Sequence, residues 1–131
     1  MSWEIGLMIA VLAVGFMTFK MTRGAFSPVI SQEELLGKLK QSDVVVLDVR
    51  SNQEYRNGHI PGALNIEVQR LGASLDELAS HRDKTLVVTC EHGLRARMAM
   101  YTLQRAGFEK ILHLSGDMQA WRKAQFEMET E

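Results

Sequence analysis

Hydrophobic and polar positions fall into two regimes along this chain. From Ile5 to Phe19 the sequence reads IGLMIAVLAVGFMTF, without a charge or a proline. A helix built from such a run is apolar on every side, the pattern of a segment surrounded by core or by lipid. Extended from Trp3 to Met21, at about 1.5 Å per residue, it approaches the roughly 30 Å of a bilayer core. The run predicts one short transmembrane helix over residues 1–22, with Trp3 at one interface and Lys20 and Arg23 reaching toward the other. Glu4 precedes the apolar run and the cations follow it, the reverse of a cleaved signal peptide. The same asymmetry predicts a single-pass protein of the bacterial inner membrane, N-terminus outside and everything after Lys20 in the cytoplasm. Gly6 and Ala10 have the small-x-x-x-small spacing through which two such helices could approach as a homodimer. Residues 23–30, with Gly24, Ser27 and Pro28, read as a linker.

Beyond the linker, short apolar runs alternate with helical periodicity. Ser31 and Glu34 have capping-box spacing, and Leu35, Leu36 and Leu39 follow at helical intervals. Val44–Val49 and Thr85–Thr89 are apolar, β-branched runs suited to strands buried on both faces, and Ile111–Leu114 is a weaker third. Helical patterns occur after Ser51, around Leu75–Ala79, from Leu94 to Ala106 and from Met118 to Lys123, with Gly107 placed to end the strongest. His59–Asn65, containing Pro61 and Gly62, reads as a turn entering a short edge strand. This order predicts an α/β domain over residues 31–125, a mainly parallel central sheet with helices on both faces, then a C-terminal tail over 126–131.

Composition narrows the function. A chain of 131 residues has room for one domain, and a net charge of −1 from 15 basic and 16 acidic residues offers no footprint for nucleic acid. One cysteine forms no intrachain disulfide, which suits a reducing compartment. The eight methionines form no cluster of metal-ligand spacing, and no metal is expected.

Chemistry concentrates at Cys90, placed at the end of a buried strand and just before a helix in the segment TLVVTCEHGLRARMAMYTLQRAGF. In open parallel sheets sites gather at the carboxyl ends of strands, and a helix N-terminus offers unpaired N–H groups. If Cys90, Glu91, His92, Gly93, Leu94 and Arg95 curl into a loop, successive N–H groups converge on the sulfur. Gly93 permits the sharp turn. The expected outcome is a thiol ionising below the free value of about 8.5. An inert core cysteine is the competing reading, but it does not require the strand, cysteine, glycine, arginine, helix order.

At this point the sequence resembles a known family. Residues 31–123 look like a single rhodanese homology domain. LDVRSNQEYRNGHIPGALNI, residues 47–66, is similar to the family's first signature at Asp48, Arg50, Glu54, Tyr55, Gly58, His59, Ile60, Gly62, Ala63 and Asn65. Cys90, Gly93 and Arg95, then Gly107, Phe108, Leu114, Gly116, Ala120 and Trp121, resemble its active loop and C-terminal signature. The resemblance implies a sulfurtransferase: the Cys90 thiolate takes the outer sulfur of a small sulfane-sulfur donor or a protein persulfide, then passes it to a thiophilic acceptor. It needs no metal and no cofactor. Arg95 would order the loop or meet the donor's anionic end, Arg97 could assist if it faces the mouth, and Asp48 and Arg50 read as scaffold near the site.

Two positions depart from the family pattern. Ala96 replaces a frequent serine or threonine, and Asp117 follows Gly116 where a second glycine is usual. Glu91 is expected to repel thiosulfate and to raise the Cys90 thiol. His92 is expected to face solvent, and Trp121 to cover the core. Two other functions fit the fold. One is a non-catalytic module holding a membrane-protein partner. The other is a cysteine phosphatase, disfavoured because only four residues separate Cys90 from Arg95.

Overall fold

A computed structural model describes residues 2–23 and 28–131, with side chains described for 3–14 and 28–131. The first element, α1 (Ser2–Arg23), is a helix. Its large apolar residues from Trp3 to Val14 are exposed. Among the described residues no helix is long and apolar enough to cross a membrane, so the transmembrane span expected over residues 1–22 is not found. Positions 24–27 of the expected linker lie outside the described residues, and its last two residues, Val29 and Ile30, form a strand rather than a connector, because Ile30 finds a place in the core.

The domain contains five strands: β1 (Val29–Ile30), β2 (Val44–Asp48), β3 (Leu64–Asn65), β4 (Thr85–Thr89) and β5 (Ile111–Leu114). They form one parallel sheet in the order β1-β5-β4-β2-β3. β4 sits in the middle, which explains its uninterrupted apolar run. Leu86 and Val88 enter the core on one face with Leu71, Leu78, Ala99 and Leu103. Val87 enters the opposite core with Leu35, Ile60, Met118 and Trp121. A strand buried on both faces reads as a continuous apolar run.

Helices α2 (Gln32–Lys38), α3 (Asn52–Asn57), α4 (Leu94–Arg105) and α5 (Asp117–Lys123) complete the layers. Ser31 caps α2 by accepting the Glu34 N–H. A reciprocal capping box forms at α3, where Ser51 and Glu54 satisfy each other's backbone N–H groups. The helix expected around Leu75–Ala79 is instead a 3₁₀ segment, Leu75–His81, preceded by another at Val68–Ala73. Only Leu71 and Leu78 of these segments are fully buried apolar residues. Short connectors with few anchors commonly settle into 3₁₀ turns.

Residues 126–131, set apart in sequence as a tail, return to the domain. Phe126 packs edge-on against Trp121, whose indole N–H donates to the Glu127 carbonyl at 3.0 Å. Glu129 exchanges backbone hydrogen bonds with His59.

Candidate active site

Register places the ends of the central strands side by side, with Asp48 opposite Thr89 and Val88 opposite His113. Cys90 directly follows β4, and α4 starts at Leu94. Between them Gly93 adopts φ 113°, a left-handed conformation that favours glycine. A Cβ built there would also come within 3.1 Å of Asp117 Oδ2. The turn brings the Gly93 N–H to Cys90 Sγ at 3.0 Å and the Ala96 N–H to the same sulfur at 3.3 Å. Ala96 lies in the first turn of α4, where backbone N–H groups have no partner within the helix. Of the amides in the expected Cys90–Arg95 loop, Gly93 thus points at the sulfur, and the second donor, Ala96, lies one residue beyond that loop.

The ionisation is not as expected. Cys90 is only 1 % exposed, and burial pushes its thiol above the ordinary value. The Ala96, Gly93 and His92 N–H groups pull in the opposite direction, but Asp117 adds its negative charge to the effect of burial. Desolvation of a thiolate outweighs a few amide dipoles when no full cation touches the sulfur.

Glu91 is also not the neighbour anticipated. Its carboxylate receives two hydrogen bonds from Arg122, at 2.6 and 3.2 Å, and lies 3.5 Å from Arg50 Nη1. Arg122 holds the Glu91 carboxyl below its usual range. The charge thus braces the loop against α5 and the β2–α3 turn. The acid that opposes the thiolate is Asp117, which lies 27 residues further along the chain and accepts the Cys90 N–H at 3.0 Å through Oδ1. It is 2 % exposed, and both its carboxylate oxygens lie 3.0 Å from His113 Nε2.

The remaining sequence candidates separate clearly. Asp48 accepts from Arg50 Nε, Nη2 and backbone N–H, and Arg50 Nη2 also donates to the Gly58 carbonyl at 2.7 Å, so this buried pair organises the turn after β2. Arg95 places both terminal nitrogens on Glu54, at 2.6 and 3.0 Å, tying the cysteine loop to α3. That contact draws the Glu54 carboxyl down to about 2. His92 is exposed with Nδ1 3.0 Å from Gln119 Oε1, and Leu94 is exposed at the rim. Arg97 Nη2 lies 3.6 Å from where a Gly93 Cβ would stand, so its guanidinium reaches the loop. His59 stacks on Tyr55 and places Nδ1 2.7 Å from the Tyr55 carbonyl, away from the sulfur's partners. Asp117, His113 and Arg122 were not singled out as site residues by sequence reasoning. The available signal was the acid after Gly116, read there only as a departure in a turn.

Among the described residues there is no cluster of three or more metal-ligating side chains. The arrangement can hold a sulfur atom on two backbone N–H groups beneath a loop braced by three ion pairs, Arg50–Glu91, Arg95–Glu54 and Arg122–Glu91.

The rhodanese-like domain family matches residues 31–124. Thiosulfate sulfurtransferase GlpE of Shewanella oneidensis is 30% identical over 95 residues, covering 72% of this chain and 92% of that protein. The uncharacterised protein YibN of Escherichia coli is 30% identical over 118 residues, 89% of this chain and 80% of that one. A crystal structure of a rhodanese-related protein from Thermoplasma volcanium superposes with a TM-score of 0.71 at 30% identity, covering 79% of this chain and 99% of that one.

Proposed function

Because this chain belongs to the rhodanese-like family, we propose that it is a sulfurtransferase that carries sulfane sulfur as a persulfide on Cys90. The observation that carries this reading is the pair of hydrogen bonds from Gly93 and Ala96 N–H to the sulfur of the chain's single cysteine. Donors aimed at a position where negative charge develops stabilise that charge without reorganising. The Cys90 thiolate attacks the outer sulfur of thiosulfate or of a protein persulfide and expels the remainder of the donor. A thiophilic acceptor then removes the terminal sulfur and regenerates the thiolate. Arg97, whose guanidinium reaches the loop at Gly93, is the cation that meets an incoming anion in this scheme.

Incubating the full chain with thiosulfate tests the proposal. The expected result is a mass gain of one sulfur that cyanide removes and that Cys90→Ser abolishes. No gain with thiosulfate or glutathione persulfide overturns it in favour of a non-catalytic module, the reading that the burial of Cys90 favours. Turnover of an aryl phosphate faster than sulfur transfer would overturn it in favour of a phosphatase.

Attachment to the cytoplasmic face of a bacterial inner membrane is part of the same proposal. Its support is α1, whose exposed Trp3, Ile5, Leu7, Met8, Ile9, Val11, Leu12 and Val14 have no polar face among them. Such attachment confines the domain where a membrane-protein partner or a second copy can meet it. Two measurements check it. Carbonate washing of membranes should leave the protein in the pellet, and a membrane-impermeant thiol reagent should fail to label Cys90 in intact cells even after denaturant-free permeation of the outer envelope. Release by carbonate, or labelling, sinks the localisation without touching the chemistry.

A further inference from the structure

Asp117 is built into its place by several contacts. It adopts φ 54°, a left-handed conformation that Asp tolerates better than most residues. Gly116 before it has φ 79°, and Gln32 from α2 donates through Nε2 to the carbonyls of Ser115 at 2.6 Å and Asp117 at 3.1 Å. From below, His113 on β5 places Nε2 against both carboxylate oxygens. The carboxylate is thereby fixed with Oδ1 on the Cys90 N–H and Oδ2 against the turn at Gly93.

Most of the other charges around the loop are engaged with partners of their own. Glu91 is bound by Arg122 and Arg50, Arg95 is bound by Glu54, and the His92 ring faces Gln119. Arg97 approaches across Gly93 from the exposed side of α4, and Thr89 contributes only a hydroxyl, 3.5 Å from Oδ1. A thiolate formed at Cys90 therefore shares its loop with a buried carboxylate whose near partner is His113.

We propose that Asp117, held by His113, is a positioning residue that makes the domain retain sulfur on Cys90 rather than release it quickly; this rests on the sulfurtransferase reading above. In loading, the Cys90 thiolate forms a bond to the outer sulfur of thiosulfate, and sulfite leaves with the electron pair of the broken S–S bond. In discharge, an acceptor nucleophile bonds to the terminal sulfur, and Cys90 Sγ leaves with the electron pair as a thiolate. In the persulfide the negative charge resides one bond further out, on the terminal sulfur. Both the attacking and the leaving state put it on Sγ, where the carboxylate opposes it. A thiolate made costly in this way is scarce at neutral pH and a slow leaving group, yet intrinsically the stronger nucleophile once formed.

The test uses the full chain and Asp117→Asn, which keeps an oxygen acceptor for the Cys90 N–H while removing the charge. Protein loaded with thiosulfate is discharged with cyanide, and thiocyanate is followed with time. Discharge at pH 7 is expected to quicken roughly threefold to tenfold in the variant. The pH profile of Cys90 alkylation by iodoacetamide should move to lower pH, while well above both midpoints the wild type reacts at least as fast. A purely structural role does not produce that crossing. Asp117→Gly, which suits the positive φ and also removes the charge, serves if the asparagine variant misfolds. A wild type that takes up no sulfur from thiosulfate sinks the sulfurtransferase reading and this inference with it. A chain that loads normally, but whose discharge and alkylation profile are indifferent to both substitutions, sinks the inference alone.

Discussion

β2 and β4 lie next to each other in the sheet, and each ends in a turn that buries an ionisable side chain. The two turns treat that side chain differently. At the end of β2, Asp48 is 0 % exposed and accepts from three N–H donors of Arg50, whose guanidinium is itself capped by the Gly58 carbonyl. After β4, Cys90 receives two N–H groups and no cation, and it shares the loop with a carboxylate. The first turn is electrostatically complete and holds shape. The second is left incomplete around the atom proposed to change its charge during turnover. Two adjacent strand ends of one sheet thus divide rigidity and reactivity between them.

Breaking the first turn should produce the largest effect. Asp48→Ala leaves the Arg50 guanidinium buried without its partner, and urea denaturation should show a loss of about 3–5 kcal/mol. A loss near zero would mean that the Asp48–Arg50 pair does not organise the turn. Next, Gly116→Ala places a Cβ 2.5 Å from the Ala120 Cβ at a positive φ, in the turn that supports Asp117. A destabilisation of about 2–3 kcal/mol is expected from clash and left-handed backbone together, measured by the same method. Retained stability would show that the α5 turn relaxes freely.

The second turn is sharpened by titration. Since burial and Asp117 push the Cys90 thiol up, its alkylation by iodoacetamide should have a midpoint at higher pH in the folded chain than in urea. A lower folded midpoint would mean that the loop amides dominate after all. The smallest effect concerns Glu54, whose carboxyl is depressed to about 2, chiefly by Arg95. A depressed acid contributes stability above its unfolded value, and that contribution disappears as pH falls toward about 2. Because both partners are about a third exposed, Glu54→Gln should cost no more than about 1 kcal/mol at pH 7 and only a small part of that at pH 2. Equal losses at both pH values would assign the cost to the capping box at Ser51 instead.

Much of this molecule is legible along the chain because the relevant forces are local or periodic. The mostly apolar runs Val44–Val49 and Thr85–Thr89 mark strands that cover β2 and β4, since a strand covered on both faces is built chiefly from apolar, β-branched residues. The helix from Leu94 and the left-handed glycine at 93 follow from residue types at adjacent positions. Even the sulfur's two N–H donors lie within six residues of it. The 3₁₀ segments were less legible, because a helical pattern around Leu75–Ala79 carries no information about how many of its residues find a core.

By itself the sequence determined strands β2 to β5 and helices α2 to α5, the cysteine's position at a strand end and the turn that aims amides at it, all consequences of side-chain periodicity and backbone stereochemistry, whereas Val29 and Ile30 of β1 read as linker. Only the tertiary structure decided the charge that Cys90 meets. Glu91, adjacent in the chain, is drawn away by Arg122 and Arg50, whereas Asp117 is carried to the Cys90 N–H by the pairing of β4 with β5. Electrostatic interaction depends on distance and burial in space, and neither is a property of sequence separation.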